Sequence, residues 1–219
     1  MKKCSRRFIM YECRNILGNP FVFIFGMFFP LLMLFIITRA MRGEAPESYT
    51  AVMNTGIFIQ LSLIIPMAVV LLGYSASFSE ELQEDIPLRL ELFGFSGKTT
   101  LLAKIAAQFF VLTTGLSIYT IVGYAALDLQ VPRVSSALCF IICMILISVL
   151  FFALAHGVSL IFKKFGPTYA ILMSFYFGVM ILCGMMGLKT EDLPVFFQKI
   201  AALLPMSYIG NDFIDFWQE

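Results

Sequence analysis

Five long apolar stretches, separated by short charged or turn-forming segments, dominate the sequence. They are residues 21–38, 51–78, 101–127, 135–162 and 168–188. A helix needs about 20 residues to cross a hydrocarbon core of about 30 Å, and each stretch approaches or exceeds that length. The pattern predicts an all-α, polytopic bundle of five transmembrane helices, with residues 1–219 forming a single transmembrane domain.

The segment 1–19 has two unlike sides when it is drawn as a helix at about 100° per residue. Three basic residues follow one side and three apolar residues follow the other. The basic ones are Lys3, Arg7 and Arg14, and the apolar ones are Ile9, Cys13 and Ile16. We expect an interfacial helix with its apolar face in lipid and its basic face towards anionic headgroups. A basic tip that only set the topology would not need this segregation.

Residues 79–97 carry a second amphipathic pattern. The apolar positions are Leu82, Ile86, Leu90 and Phe93, and the charged positions on the other side are Glu81, Glu84, Asp85 and Arg89. The pattern predicts a short helix that is interrupted near Pro87 and ended by Gly94. As a solvated face this segment needs no partner, whereas as a docking surface it needs a basic groove on another protein. The pattern alone does not decide between the two.

The segment 189–219 contains apolar pieces that are too short to span. Pro194 and Pro205 limit the first to about ten residues. A second amphipathic piece follows, with Phe213, Phe216 and Trp217 at helical spacing. We expect short outer re-entrant helices in or near the outer leaflet, with Tyr208 and Trp217 at headgroup level.

The distribution of basic residues predicts the orientation. Of the 15 Lys and Arg residues, we count ten on the side that holds the N-terminus and five on the other side: Arg39, Arg42, Arg133, Lys189 and Lys199. The excess predicts a cytoplasmic N-terminus, and we expect a multi-pass protein of the plasma membrane. Lys98 and Lys104 are expected to snorkel at the cytoplasmic edge of the third span.

Composition narrows the function classes. Hydrophobic residues make up 60% of the chain and charged residues 13%, against about 25% charged in average soluble domains. A soluble enzyme is therefore excluded. The net charge of +1 lacks the basic excess typical of a nucleic-acid-binding protein, so the lipid bilayer is an expected partner and nucleic acid is not.

Uncharged polar residues and one histidine supply the candidate chemistry within the spans. The possible pathway residues are Asn54, Gln60, Gln108 and His156. No Asp, Glu, Lys or Arg lies near the centre of a predicted span, which disfavours ion-coupled transport. His156 is expected to make a helix-to-helix hydrogen bond. One histidine cannot form the zinc motif His-Glu-x-x-His, and we do not expect an enzyme.

The sequence Gly97-Lys98-Thr99-Thr100 looks like the end of a phosphate-binding loop. That loop requires a glycine five residues before its Gly-Lys pair, and Leu92 occupies this position. An amphipathic helix precedes it where a buried strand is required. We therefore expect no cofactor to be bound by this chain.

The order of these features resembles the membrane subunit of type-2 ABC transporters. A long second span runs into Ser79-Glu80-Glu81, and outer helices bounded by proline follow the fifth span. The closest matches are the stretches 90–98 and 198–208. The resemblance implies a connector helix at 1–19 and a coupling helix within 79–97 that sits in the cleft of an ATPase. The implied coupling residues are Glu80, Glu81, Leu82, Glu84, Asp85, Ile86, Arg89, Leu90 and Phe93.

The resemblance also implies partners and a function. Two copies of an ABC ATPase subunit would bind ATP and magnesium, and a second permease subunit, identical or related, would complete a dimer. The expected function is export of an apolar, peptide, lipid or drug-like substrate. The alternatives are a resistance or sensor subunit without net transport and an ATP-independent channel. The family has a sixth span where this chain ends at Glu219, so either the sequence is truncated or the chain is an unusually short member.

Overall fold

A computed structural model describes residues 4–41, 49–185 and 190–218. Within these ranges the regular structure is helical, and no strand occurs. The helices are α1 (Arg6–Leu17), α2 (Pro20–Ala40), α3 (Thr50–Gln83), α4 (Ile86–Leu92), α5 (Gly97–Ala126), α6 (Val134–Phe162), α7 (Phe165–Leu182), α8 (Val195–Ala201) and α9 (Pro205–Asn211). Short 3-10 turns cover Thr190–Asp192 and Asp215–Trp217.

Five of the described helices, α2, α3, α5, α6 and α7, are long and apolar enough to cross a membrane. This confirms the prediction of an all-α polytopic protein. The second span runs to Gln83 where the sequence predicted 78, and the third begins at Gly97 where it predicted 101. Lys2, Lys3, Arg42, Lys189, Glu219 and the predicted end of the fifth span at 188 lie outside the described residues.

Helix α3 lies at the centre of the bundle. All residues from 61 to 76 are buried, because α2, α5, α6 and α7 pack around this helix. The surrounding spans each bury one side and leave large apolar side chains exposed on the other. A helix that is apolar all round suits such a central place, and its buried Ser62 and Ser75 donate to carbonyls of their own helix.

Helices α2 and α3 approach each other closely where both widen into π-helical turns. These turns are Ile24–Phe28 in α2 and Met67–Gly73 in α3. A Cβ atom added to Gly26 would lie 2.7 Å from Val69 Cγ2, and one added to Gly73 would overlap Val22 Cγ2. Glycine is required at both positions because the facing side chain occupies the space of a Cβ.

The bundle has two ends, which we call the α1 end and the tail end. The α1 end holds α1, α4 and the α6–α7 turn, where the Phe165 N–H donates to Gln83 Oε1. The tail end holds residues 127–133, α8, α9 and the C-terminal turn. Asn54, near the start of α3, donates to the Asp128 carbonyl there.

The apolar face of α1 packs on protein, so the prediction that it lies in lipid is wrong. Phe8, Cys13 and Ile16 are buried and α1 packs chiefly against α5. The same face carries the buried Glu12, and a carboxylate in hydrocarbon would be costly without a partner. Arg7 and Arg14 are exposed, as the pattern predicted, and Lys3 lies outside the described residues.

The C-terminal segment folds back on the α5–α6 turn and encloses Trp217, while the expected headgroup level of Tyr208 and Trp217 stays a prediction. Trp217 is only 3% exposed, and its Nε1–H donates to the Gln130 carbonyl at 2.8 Å. Ser136 Oγ donates to the Phe216 carbonyl at 2.7 Å. The indole finds its acceptor inside the protein. Tyr208 is 54% exposed.

Candidate coupling surface

Helix α4 is a short element set between two bends at the α1 end. Asp85, just before it, has a left-handed backbone with φ 54°, and Gly94, just after it, has φ 88°. The Gly94 and Phe95 N–H groups donate to the carbonyls of Glu91 and Leu90, which is the Schellman ending that favours glycine. Ser96 then caps α5 by accepting from the Thr99 N–H. The predicted restart near Pro87 and end at Gly94 are confirmed.

The exposed side of α4 carries large apolar side chains beside the exposed charges of Arg89 and Glu91. Leu88, Leu92 and Phe93 are 57%, 82% and 69% exposed, whereas Ile86 and Leu90 are half-buried. Leu82 and Glu81 belong to the end of α3, because the bend at Asp85 interrupts the helical period that the sequence pattern assumed. Leu82, Ile86, Leu90 and Phe93 therefore do not form one continuous helical face.

The charged residues of the segment have separate environments. Glu80, Glu84 and Asp85 are exposed, and Arg89, also exposed, donates from Nη2 to the Glu84 carbonyl. Glu81 differs, since it is 7% exposed and points into the protein. Four of the five charged candidates thus lie on the surface and one lies in the interior.

Lys104 forms a buried ionic cluster with Glu12 and Glu81. Its Nζ atom lies 2.9 Å from Glu12 Oε2 and 2.7 Å from Glu81 Oε1, and Asn15 Nδ2 donates to the same Glu81 oxygen at 3.2 Å. Lys104 is 5% exposed, so the expectation that it snorkels is wrong. Two carboxylates within reach hold the ammonium inside the bundle.

The cluster ties three elements together where α4 joins the bundle. Glu12 belongs to α1, Glu81 to α3 and Lys104 to α5. One ammonium serves two carboxylates here. Glu81 Oε2 is buried without a hydrogen-bond partner among the described residues. Breaking such a pair by removing one partner typically costs about 3–5 kcal/mol. The Phe8 and Phe95 rings, 4.8 Å apart, join α1 to the α4–α5 turn beside it.

The thiol of Cys13 follows Glu12 in α1. Burial, and secondarily the neighbouring Glu12 carboxylate, raise the pKa of Cys13 above its usual value. Both causes disfavour the thiolate, so Cys13 is suited to packing rather than to reaction.

The four pathway candidates each bond to a different partner inside the protein. Asn54 donates to the Asp128 carbonyl at 3.4 Å, and Gln60 donates to the Cys183 carbonyl at 3.3 Å. Gln108 Nε2 donates to the Val69 carbonyl within the π-helical turn of α3. The structure thus shows each of these residues joining α3 to a neighbouring element.

His156 Nδ1 lies 2.8 Å from Tyr74 Oη. This contact joins α6 to α3, and it confirms the predicted helix-to-helix hydrogen bond.

Sequence reasoning missed the ionic cluster, although α1 contained a clue. Glu12 lies three residues after Ile9 and four before Ile16, so it shares the apolar face of its helix. A carboxylate in that position requires a buried cation. Lys104 was the candidate, since it lies deeper in its span than Lys98 does.

These features define the class of the protein: a polytopic helical membrane protein with a surface helix exposed at the α1 end. The sequence model of the ABC-2 type transporter family matches residues 6–215, and the chain belongs to this family. No curated protein and no solved structure matches it. The chain is a permease component of an ABC transporter, a multi-pass membrane protein of a family that works with an ATP-binding subunit.

Proposed function

We propose that this chain is the permease subunit of an ATP-binding-cassette exporter in the plasma membrane. Two separate ATPase subunits bind ATP and magnesium and dock at the α1 end, which is cytoplasmic. A second permease subunit, identical or related, completes the complex. The observation that supports this most directly is α4, where Leu88, Leu92 and the following Phe93 are all exposed. Neighbouring apolar side chains exposed together at a polar end of the bundle are typical of a docking site.

In this proposal α4 acts as a lever. ATP closes the two ATPase subunits, and their clefts then move α4. The bends at Asp85 and Gly94 separate the seven residues of this helix from α3 and α5, so they move as a unit. The motion reaches α3 through the short link at Glu84 and Asp85. It reaches α1 and α5 through the ionic cluster and the Phe8–Phe95 contact. The spans then rearrange and substrate passes outward.

An apolar, peptide, lipid or drug-like substrate fits the interior of the chain. No Asp, Glu, Lys or Arg lies in the middle of a described span, so recognition there would rely on apolar and uncharged groups. An apolar crevice of about 180 Å³ lies between α6, α7 and the start of α9, and Phe151, Phe175 and Met206 are among its lining residues. It supports a lateral route for apolar cargo.

The test replaces the exposed tip of α4. Leu92→Asp and Phe93→Asp should abolish copurification with the cognate ATPase and stimulated ATP hydrolysis, because a charge replaces the apolar contact. Leu203→Asp is the matched control, since Leu203 is equally exposed, at 82%, but lies at the tail end. Asp substitutions at Leu82, Ile86 and Leu90 would disturb folding as well, because these side chains are half-buried.

Full assembly and full stimulated hydrolysis in both α4 variants would overturn the docking proposal. Transport in sealed vesicles separates the remaining classes. A complex that assembles and hydrolyses ATP but moves nothing is a resistance or sensor subunit, and flux without any ATPase is a channel. The mass of the complex purified from its native membrane would give the number of ATPase copies and identify the second permease.

A further inference from the structure

A polar cleft lies on the flank of the α1 end, apart from the exposed face of α4. It encloses about 350 Å³, which is within the range of small-molecule sites. One wall is the end of α1 and the turn into α2, the second is the last turns of α3, and the third is the start of α7. The lining residues are Arg14, Asn15, Gly18, Asn19, Pro20, Phe21, Ala76, Ser77, Glu80 and Phe165.

Two opposite charges face this cleft without pairing. Arg14 and Glu80 are both exposed, and neither makes an ion pair or side-chain hydrogen bond with another described residue. The polar side chains of Ser77 and Asn19 also line the cleft, and Asn19 Nδ2 donates to Ser77 Oγ at 3.2 Å. The cleft thus offers a cation and an anion at separate points, which suits a ligand with a negative and a positive group of its own.

The cleft lies among the ends of membrane-spanning helices, the level at which phospholipid headgroups are expected. Pro20 opens α2, Phe165 opens α7, and Glu80 is in the last turn of α3. These are the ends of membrane-spanning helices, where apolar surface gives way to polar surface. The Phe21 and Phe165 rings, each next to the Tyr169 ring at 4.9 and 5.2 Å, form the apolar wall. Lys163 and Lys164, exposed on the adjoining turn, add positive charge nearby.

We propose that this cleft binds the headgroup of a phospholipid with a primary ammonium group, of the phosphatidylethanolamine type. The Arg14 guanidinium pairs with the phosphate, for which its fork of donors is suited. The ammonium donates to the Glu80 carboxylate and to Ser77 Oγ, while the acyl chains follow the aromatic wall into the bilayer. Three other headgroups fit the cleft less well. Choline has no N–H to donate, a glycerol headgroup has no cation, and a serine headgroup brings a second carboxylate towards Glu80.

The test measures lipid binding to the purified chain and needs no ATPase partner. Native mass spectrometry of the protein in detergent compares phosphatidylethanolamine with phosphatidylcholine of identical acyl chains. We expect the ethanolamine lipid to bind more tightly. Arg14→Gln and Glu80→Gln should each weaken its binding about tenfold or more, the effect of losing one charge-assisted hydrogen bond. Glu80→Gln should also remove the preference over choline.

Matched controls are Arg7→Gln and Glu84→Gln, which remove exposed charges of the same type outside the cleft and should leave binding unchanged. Equal binding of the two lipids, or equal effects of cleft and control variants, would overturn the proposal. Glycerophosphoethanolamine, a soluble compound with the same charged groups, is added as a competitor. Failure to displace the lipid supports a membrane ligand, whereas displacement at equal concentration would assign the cleft to a soluble zwitterion and overturn the lipid assignment.

Discussion

Lys104 shows how one residue can organise three helices. Its ammonium lies within 3 Å of carboxylates on α1 and α3, and all three side chains are buried. Charges are costly to remove from water, so the cluster favours this arrangement of α1, α3 and α5 over others in which a charge would be unpaired.

Replacing Lys104 by Met should therefore destabilise the protein strongly. The variant leaves Glu12 and Glu81 facing each other without a cation, and removal of one partner of a buried pair costs about 3–5 kcal/mol. We expect a large fall in the temperature of thermal unfolding in detergent. Lys98→Met is the control, since Lys98 is exposed near the start of the same helix, and it should change little. A Lys104→Met protein that unfolds at the same temperature as the wild type would show that the cluster contributes no stability.

At the scale of elements, the close contact of α2 with α3 depends on glycine. Gly73 faces Val22, which is β-branched, stiff and 1% exposed. The side chain therefore cannot swing away to admit an additional methyl group.

Gly73→Ala should lower stability by about 1–3 kcal/mol, the usual cost of overpacking, and Val22→Ala in the same chain should restore part of it. Gly178→Ala provides the comparison, because nothing lies within 4 Å of a Cβ added there and alanine favours a helix. Thermal unfolding of the four proteins measures both effects. Equal unfolding temperatures for the Gly73 and Gly178 variants would contradict the close contact.

The helices themselves were largely predictable from the sequence, but the surfaces against which they pack were not. Spans follow from length and hydropathy, and Gly94 marked the end of α4 because Schellman endings favour glycine. The face of α1 was assigned to lipid because a lipid tail and a protein interior are equally apolar. The period through Leu82 and Ile86 was extended across Asp85, whose left-handed backbone no pattern of apolar residues reveals.

The arrangement of the whole molecule was the least predictable level. Hydropathy marks α3 and α6 alike as spans, yet α3 is enclosed and α6 exposes much of its surface. Whether a span is enclosed or peripheral depends on which helices pack against it. Small residues such as Gly26 and Gly73 are the sequence feature that indicates close packing. The position of the C-terminal segment was equally hard to predict, since Trp217 is typical of both a membrane interface and a buried hydrogen-bonded site.

Trp217 offers a test of that global arrangement, because it is the one tryptophan of the chain. Its burial beside Phe140 and Phe213 should give short-wavelength emission and weak quenching by acrylamide. Ser136→Ala leaves the Phe216 carbonyl without its donor, a loss of about 1–3 kcal/mol, and should shift emission to longer wavelength and increase quenching.

Ser174→Ala is the control, since Ser174 is exposed and bonds only within its own helix. Free quenching of Trp217 in the unmodified protein would contradict the folded-back tail.

The π-helical turn of α3 changes how any labelling experiment on this helix must be read. On a regular helix, residues about 18 positions apart point the same way, so the half-buried Gln60 would share its direction with Phe78. A π-helical turn holds more residues than an α-helical turn, so across Met67–Gly73 the direction of Gln60 passes to a residue further along the chain than Phe78. A helical wheel drawn through α3 as a single unit would therefore assign the sites of its last turns to the wrong side. Probes placed there need a second wheel that starts at Tyr74.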